Sequence, residues 1–112
     1  MASRGLVYVA GPFSKGDTIA HIAQAADIGT RLFVKGFTPI IPHLTYQLQW
    51  LYPDVWNYDS FLAYDFELIK KCDALFTLPG ESQGTEREIE LAIDEGIPVY
   101  TKLSELFDAF GA

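Results

Sequence analysis

The sequence has 112 residues, of which 49% are hydrophobic, and its 15 acidic and 8 basic side chains give a formal net charge of −7. That length indicates a single domain, residues 1–112, and the hydrophobic content excludes a disordered chain. An acidic chain without a stripe of Lys and Arg is a poor binder of polynucleotide phosphate. No apolar run approaches the ~20 residues that a membrane-spanning helix needs.

Strands and helices are predicted to alternate along the chain. In chain order the predicted elements are strand Leu6–Ala10, helix Thr18–Lys35, strand Phe37–Ile41, helix Tyr58–Cys72, strand Ala74–Leu78, helix Thr85–Glu95, strand Ile97–Tyr100 and helix Ser104–Phe110. Residues 42–57 are aromatic and irregular, which predicts a long loop or a loop with a short helix. Such a segment in a small domain is usually functional.

The spacing of apolar residues supports these helices. The residues near helical spacing are Ile19, Ile22, Ala26 and Phe33 in the first helix, and Ile89, Ala92 and Ile93 in the third. Those of the third helix are expected to face inward.

This alternation predicts an α/β fold with a parallel sheet covered by helices on both faces. Right-handed crossovers give a doubly wound, flavodoxin- or Rossmann-like sheet of about four strands in the order 2-1-3-4. Such folds bind ligands beyond the carboxyl ends of the strands, at the point where the strand order reverses. Loops 11–17 and 79–84 are therefore expected to face each other across a cleft, with residues 42–45 on its rim.

Asp65 falls at the centre of an apolar stripe on its helix. The stripe consists of Tyr58, Phe61, Leu62, Leu68, Ile69 and Cys72. A carboxylate there either bonds locally, to backbone or to a tyrosine, or points into a cavity that has a use for it. Burial without a partner raises the pKa of a carboxyl group and makes it a proton donor. Because aspartate is rarely fully buried unless it is paired, the functional interpretation is favoured.

A second candidate site lies in segment 81–88, which joins the third strand to the third helix. Its glycine permits close approach of a ligand, Ser82 and Thr85 supply hydroxyls, and the helix start offers free N–H groups. Glu88 is expected in the first helical turn, where the helix dipole favours the ionised form. An ionised carboxylate aimed into a cleft is a nucleophile for an electrophilic sugar carbon. The alternative is that first turns simply attract glutamate.

Two other features of the sequence have only part of a known site pattern. Residues 11–18 have the glycine spacing of a P-loop, but Asp17 stands in place of the lysine, which excludes nucleoside triphosphate hydrolysis. His21 and His43 lie apart with no ligand spacing around them, so no metal site is expected. His43 follows the second strand and either touches the ligand or lies on the rim.

Three short motifs occur in a fixed order along the chain. They are Tyr8-Val9-Ala10-Gly11-Pro12-Phe13, then Asp65, then Ser82-x-Gly-Thr-x-x-Glu88. Their combination and spacing resemble the nucleoside 2-deoxyribosyltransferase superfamily, which includes the nucleoside 5′-monophosphate N-glycosidases, although this chain is shorter than the usual transferase. The resemblance implies cleavage of the N-glycosidic bond of a (deoxy)nucleoside or its 5′-monophosphate, by hydrolysis or by base transfer.

The resemblance also implies a role for each matching residue. Glu88 matches the glutamate that attacks the anomeric carbon, Tyr8 a tyrosine that orients it, and Asp65 the aspartate that protonates or polarises the leaving base. Ser82 matches the position that reads the 5′ end of the sugar, and serine there is typical of the monophosphate hydrolases. The residues expected to bind substrate or phosphate are Gly11, Pro12, Phe13, Ser14, Ser82, Gly84, Thr85 and His43.

Some residues depart from the pattern of that superfamily. Glu81 places a negative charge beside the expected phosphate site, and Pro12 stands where the phosphate-specific branch often has serine. Glu86 and Arg87 replace the small or aromatic residues that commonly precede the catalytic glutamate. These departures argue against a phosphate more than against a glycosidic bond.

The expected partner is a small nucleotide or nucleoside, with no cofactor and no metal. A single cysteine, Cys72, excludes a disulfide framework and fits a reducing cytoplasm, and residues 1–5 show no signal peptide. A homodimer or higher homo-oligomer is expected, with the aromatic segment 46–58 near the contact, although its large rings can equally stack a base or cover the cleft. The alternatives are a non-catalytic nucleotide-binding or sensing module on the same fold and an interaction protein that uses segment 46–58.

Overall fold

The computed structural model describes residues 2–80 and 82–112, so Met1 and Glu81 lie outside the described residues. The predicted negative charge of Glu81 beside the phosphate site therefore also concerns a residue outside this description. The strands are β1 (Leu6–Ala10), β2 (Thr38–Ile40), β3 (Ala74–Thr77) and β4 (Val99–Tyr100), and the helices are α1 (Thr18–Val34), α2 (Gln47–Leu51), α3 (Tyr58–Ile69), α4 (Gln83–Asp94) and α5 (Leu103–Ala109). A 3₁₀ turn, Pro42–Thr45, precedes α2. The short helix predicted within residues 42–57 is thereby confirmed.

The four strands form one parallel sheet in the order β2-β1-β3-β4, which confirms the predicted topology. In register, Tyr8 of β1 lies between Ile40 of β2 and Leu75 of β3. The strand order reverses at β1, so the carboxyl ends of β1 and β3 define the edge where a ligand is expected.

Both faces of the sheet are covered, because successive side chains of a strand point to opposite sides. Val7 and Val9 belong to a core on one face, which includes Ala25 and Leu32 of α1 and Leu106 of α5. Tyr8 and Ala10 belong to the core on the other face, which includes Ile69 of α3 and Ala92 of α4. The side chain of Tyr8 therefore points to the side of the sheet that α3 and α4 cover.

Helix α1 faces the sheet with Leu32 and two small residues, while two of its largest apolar side chains point to solvent. Asp17 caps its start by accepting a hydrogen bond from the backbone N–H of Ala20, at 3.1 Å. Its buried residues are Ala25, Gly29 and Leu32, whereas Ile19 is 80% exposed and Phe33 is 70% exposed. Gly29 is required because the side chain of Ile41 occupies the space that a Cβ there would take.

Helix α4 begins two residues earlier than predicted, at Gln83, with Ser82 as its N-cap. Glu88 is therefore beyond the first turn, contrary to the prediction, and it is buried on the same face as Thr85 and Ala92. The prediction that Ile93 faces inward is also wrong, because its side chain is 63% exposed. Residues three and four apart share a helix face, so the burial of Glu88 and Ala92 turns Ile93 outward.

Among the residues of 2–80 and 82–112, no helix combines the length and the apolar character needed to cross a membrane.

Candidate functional site

A cavity of about 400 Å³ opens beyond the carboxyl ends of β1 and β3, where the topology predicts a ligand. Three segments that the sequence analysis expected to meet there, the loop after β1, the 3₁₀ turn after β2 and the start of α4, all line it. The lining residues are Gly11, Phe13, Ser14, Pro42, His43, Thr45, Tyr46, Gln49, Tyr58, Phe61, Leu62, Asp65, Ser82, Gly84, Thr85 and Glu88.

Asp65 and Glu88 approach each other at this cavity through the phenol of Tyr8. The Tyr8 hydroxyl donates a hydrogen bond to Oε2 of Glu88, and the carboxyl group of Asp65 lies near enough to raise the pKa of the phenol. Tyr8 itself is fully buried and does not line the cavity. The structure therefore brings together the three residues predicted to be catalytic, with the carboxyl groups facing the cavity and the phenol beneath them.

Burial, not the helix dipole, controls the ionisation of Glu88. Its side chain is 7% exposed, and loss of hydration raises the pKa of this carboxyl to about 8. The hydrogen bond from Tyr8 opposes the shift, and the nearby Asp65 adds to it. Burial therefore opposes the ionised form predicted for Glu88, because α4 starts earlier than predicted and the carboxyl lies inside the protein rather than at the solvated helix start.

Asp65 has the raised pKa that its place on the apolar stripe predicts. Burial raises the pKa of this carboxyl to about 6, and the nearby phenol of Tyr8 opposes the shift. Its Oδ1 atom is buried and has no hydrogen-bond partner among the described residues. The alternative in which Asp65 is only a satisfied buried group leaves this oxygen unpaired.

The start of α4 supplies the polar end of the cavity. The Ser82 hydroxyl accepts a hydrogen bond from the backbone N–H of Thr85, at 3.3 Å, and its own hydrogen is left to donate. Thr85 is buried, and its Oγ1 atom has no hydrogen-bond partner within residues 2–80 and 82–112. A second cavity of about 500 Å³ adjoins the first one here and adds Lys15 to the shared residues Ser14 and Ser82.

The loop after β1 contributes its backbone and two side chains to the cavity. Phe13 and Ser14 line it, and Gly11 lies so close to β3 that a Cβ there would come within 2.9 Å of the Leu78 side chain. Pro12, predicted to bind substrate, is buried and does not line the cavity. Its carbonyl oxygen instead accepts a hydrogen bond from Nε2 of His43, at 3.1 Å.

His43 lies inside the protein rather than on an exposed rim. It is 4% exposed, lines the cavity and packs edge-on against the ring of Phe13. Burial lowers the pKa of its imidazole below the ordinary value, and the backbone carbonyls of Pro12 and Gly11 oppose this shift. A neutral ring that donates from Nε2 fixes the loop after β1 against the 3₁₀ turn.

Comparison with known families identifies the family of the chain. Residues 5–102 match the model of a family described as a domain of unknown function, DUF7768. The chain belongs to this family. No match was found among the curated proteins.

Several lining residues of this DUF7768 domain were not predicted to be part of the site. Phe61 and Leu62 belong to the stripe that identified Asp65, so the same signal marks them as neighbours of the cavity. Tyr46 and Gln49 come from the segment of residues 46–58, which the sequence marked only as aromatic and irregular. Their place depends on how α2 folds back over the loop after β1, where Tyr46 contacts the ring of Phe13.

The aromatic segment of the domain divides into a packed part and an exposed part. Trp56 packs against Phe61 and Tyr64 of α3. Trp50 is 73% exposed and packs edge-on against Tyr46, which lines the cavity, and Tyr52 is 61% exposed. Among the described residues, no group of three or more His, Cys, Asp or Glu side chains is placed to hold a metal ion.

Proposed function

We propose that this DUF7768 domain cleaves the N-glycosidic bond of a (deoxy)nucleoside 5′-monophosphate or (deoxy)nucleoside. The observation that carries the proposal is a pair of carboxyl groups, those of the half-buried Asp65 and the buried Glu88, which line one cavity, with the phenol of Tyr8 hydrogen-bonded to Glu88. Cleavage of a glycosidic bond through a covalent intermediate needs one carboxyl group as acid and another as nucleophile.

Asp65 is the acid in this proposal. With its pKa raised to about 6, the carboxyl group keeps a proton closer to neutral pH than an ordinary aspartate does, and it donates that proton to the leaving base. Glu88 is the nucleophile, whose carboxylate forms a bond to C1′ of the sugar as the bond to the base breaks. Water or a second base then takes the sugar from Glu88, which gives hydrolysis or transfer.

The polar end of the cavity favours a 5′-phosphate. Ser82 and Ser14 offer hydroxyl donors from opposite sides, and the first N–H groups of α4 attract an anion. Lys15 and Glu86 both line the adjoining cavity, so the positive charge of Lys15 on this side is accompanied by a carboxylate. A nucleotide then extends from these residues at its 5′ end, past Glu88, towards the aromatic side chains of Phe13 and Tyr46.

The proposal extends to partners and location. We propose that the domain forms a homo-oligomer through the segment that carries Trp50 and Tyr52, since large exposed aromatic side chains favour burial. We also propose a cytoplasmic location, because the single cysteine, Cys72, is free and fits a reducing compartment.

Release of free base from a panel of nucleosides and 5′-monophosphates, measured by chromatography, tests the proposed activity. We expect turnover by the unmodified protein and a loss of at least ~100-fold in Glu88→Gln, because the amide is not a nucleophile. Glu90→Gln is the matched control, since Glu90 is an exposed glutamate on the same helix.

Each alternative gives a different result in that assay. Binding of a nucleotide without base release contradicts the enzyme and supports a nucleotide-binding module. Such a module is consistent with a Glu88 that keeps its proton at neutral pH, as the raised pKa indicates. Near-normal turnover of Glu88→Gln contradicts the assignment of the nucleophile.

A further inference from the structure

Three buried side-chain polar atoms of the described residues have no hydrogen-bond partner, and all three belong to residues that line the first cavity. They are Nδ1 of His43, Oδ1 of Asp65 and Oγ1 of Thr85. In native proteins the large majority of buried polar atoms have a partner, because an unpaired one loses its hydration without compensation. A ligand of this cavity is therefore expected to supply partners. The proposed reaction gives Asp65 a role but gives none to Thr85.

The hydroxyl of Thr85 differs from that of a threonine in the middle of a helix. Such a hydroxyl often donates to a backbone carbonyl one turn earlier, as Thr30 does to the carbonyl oxygen of Ala26, at 2.7 Å. The position four residues before Thr85 precedes the N-cap of α4, and three residues before it the carbonyl oxygen of Ser82 accepts from the backbone N–H of Glu86, at 3.0 Å. Thr85 is also only 5% exposed, so its hydroxyl is shielded from bulk water.

Thr85 lies between the two residues of α4 that hold the ends of the proposed sugar. Ser82, Thr85 and Glu88 follow one another at intervals of three residues, so they share one face of α4 and lie about 4.5 Å apart along its axis. All three line the cavity. In the proposed complex Ser82 contacts the 5′ end and Glu88 contacts C1′. Thr85 therefore faces the part of the sugar that lies between these two ends.

The direction of attack selects the sugar group that reaches Thr85. A nucleophile displaces the base from the opposite side of the ring, so Glu88 and its helix lie under the face that does not carry the base. In a β-nucleoside the base and C5′ lie on one face of the ring, and the 3′-hydroxyl lies on the other. C3′ adjoins C4′, which carries C5′, whereas C2′ adjoins C1′. The hydroxyl group nearest the Ser82 end of this face is therefore the 3′-hydroxyl.

We propose that Thr85 recognises the 3′-hydroxyl of the sugar, so that the domain takes nucleosides or nucleotides in which this hydroxyl is free. Each of the two hydroxyls has one hydrogen and two lone pairs, so either one can donate to the other. A helical threonine occupies two χ1 rotamers, and the step of about 120° between them carries the buried hydroxyl towards the cavity that the side chain lines. A 3′-phosphodiester has no hydrogen to donate and brings a negative charge beside Asp65 and Glu88, which disfavours a nucleotide within a polynucleotide.

This inference rests on the proposed function for the orientation of the sugar, but recognition can be measured without cleavage. The probes are the common 2′-deoxynucleoside 5′-monophosphates and their 2′,3′-dideoxy counterparts, which lack only the 3′-hydroxyl. Isothermal titration calorimetry with Glu88→Gln, which lacks the nucleophile, gives the Kd of both members of each pair. We expect the dideoxy member to bind about 3–10-fold more weakly, as for the loss of one hydrogen bond between neutral groups.

Thr85→Val, added to Glu88→Gln, removes the hydroxyl and keeps the branched shape of the side chain. We expect the preference within each pair to disappear, because the 2′-deoxynucleotide loses about 3–10-fold in affinity and the dideoxynucleotide binds as before. Thr85→Ser keeps a hydroxyl and should keep the preference. Thr30→Val is the matched control, because Thr30 is a helical threonine that does not line the cavity, and it should also keep the preference.

The possible results separate this recognition from the proposed activity. A preference that depends on the Thr85 hydroxyl, without base release by the unmodified protein, supports recognition and contradicts cleavage. Base release together with equal binding of both members of every pair supports cleavage and overturns recognition. A preference that persists in Thr85→Val overturns it as well. If Thr85→Val does not fold, Thr85→Ala decides in the same way, and if no nucleotide of the set binds, both proposals are overturned.

Discussion

Replacing Glu88 with glutamine should stabilise the protein at alkaline pH. Burial raises the pKa of Glu88 from 4.5 to about 8, so between these values the folded protein holds a proton that the unfolded chain has released. Stability from this group is therefore complete below about pH 4.5 and is lost as the pH rises towards 8. At ~1.4 kcal/mol per pH unit, the loss is about 3 kcal/mol by pH 7 and at most about 5 kcal/mol above pH 8.

Glutamine keeps the shape of the side chain and its carbonyl oxygen still accepts the hydrogen bond of Tyr8, but it never ionises. Urea denaturation at pH 5, 7 and 8.5 measures the free energy of unfolding of both proteins. We expect nearly equal stabilities at pH 5, and a variant more stable than the original by about 2–5 kcal/mol at pH 8.5. If Glu88→Gln is more stable at pH 8.5 and also inactive in the base-release assay, the two measurements together show that the active carboxyl group lowers the stability of the fold.

Glu90→Gln provides the control for the loss of one negative charge from α4. Because Glu90 is exposed, its replacement should change the stability by no more than about 0.5 kcal/mol at any of the three pH values. If Glu88→Gln were less stable than the original protein at pH 8.5, or if the difference between them did not grow with pH, burial would not be the cause of the pKa shift.

Other variants test the remaining roles. Asp65→Asn should lower kcat/KM most for substrates with poor leaving bases, with little loss of melting temperature, and equal losses for all bases would contradict its role as acid. Ser82→Ala should lower kcat/KM about 10–100-fold for a 5′-monophosphate and much less for the nucleoside, and should lower the free energy of unfolding by about 1 kcal/mol because the N-cap of α4 is lost. Light scattering should show a homo-oligomer that dissociates when the exposed Trp50 and Tyr52 are both replaced with lysine, and a monomer at working concentration would remove that prediction.

The predictions that succeeded depend on local patterns. The strand order follows from the alternation of strands and helices and from the handedness of their crossovers, neither of which needs a contact to be known. Asp65 was identified because a carboxyl group in an apolar stripe stands out along one helix, and its raised pKa follows directly from burial. Loops that follow neighbouring parallel strands must meet at one edge, which placed Ser14 and Ser82 on the same cavity.

The predictions that failed concern which way a side chain faces. Ile93 was expected to face inward but is exposed, because the burial of Glu88 and Ala92 sets the inward face of α4. On α1, Ile19 and Phe33 have helical spacing and are exposed, because close approach at Gly29 sets the buried face. Apolar character alone does not decide which of two adjacent helix faces is buried. Pro12 lies outside the lining of the cavity, and its carbonyl oxygen accepts a hydrogen bond from His43.

The sequence by itself determined the α/β class, the strand order, the edge of the sheet at which the cavity opens and most of the residues that line it. These depend on periodicity and on chain direction, which are properties of the sequence. Only the tertiary structure decided the ionisation of the site, because the pKa of Glu88 depends on how much water the packing of α4 against β1 leaves around it. The same packing brought the phenol of Tyr8 on β1 close to the carboxyl groups of Asp65 on α3 and Glu88 on α4. These two residues follow Tyr8 in the chain by 57 and 80 positions, and no local sequence pattern predicts such a contact.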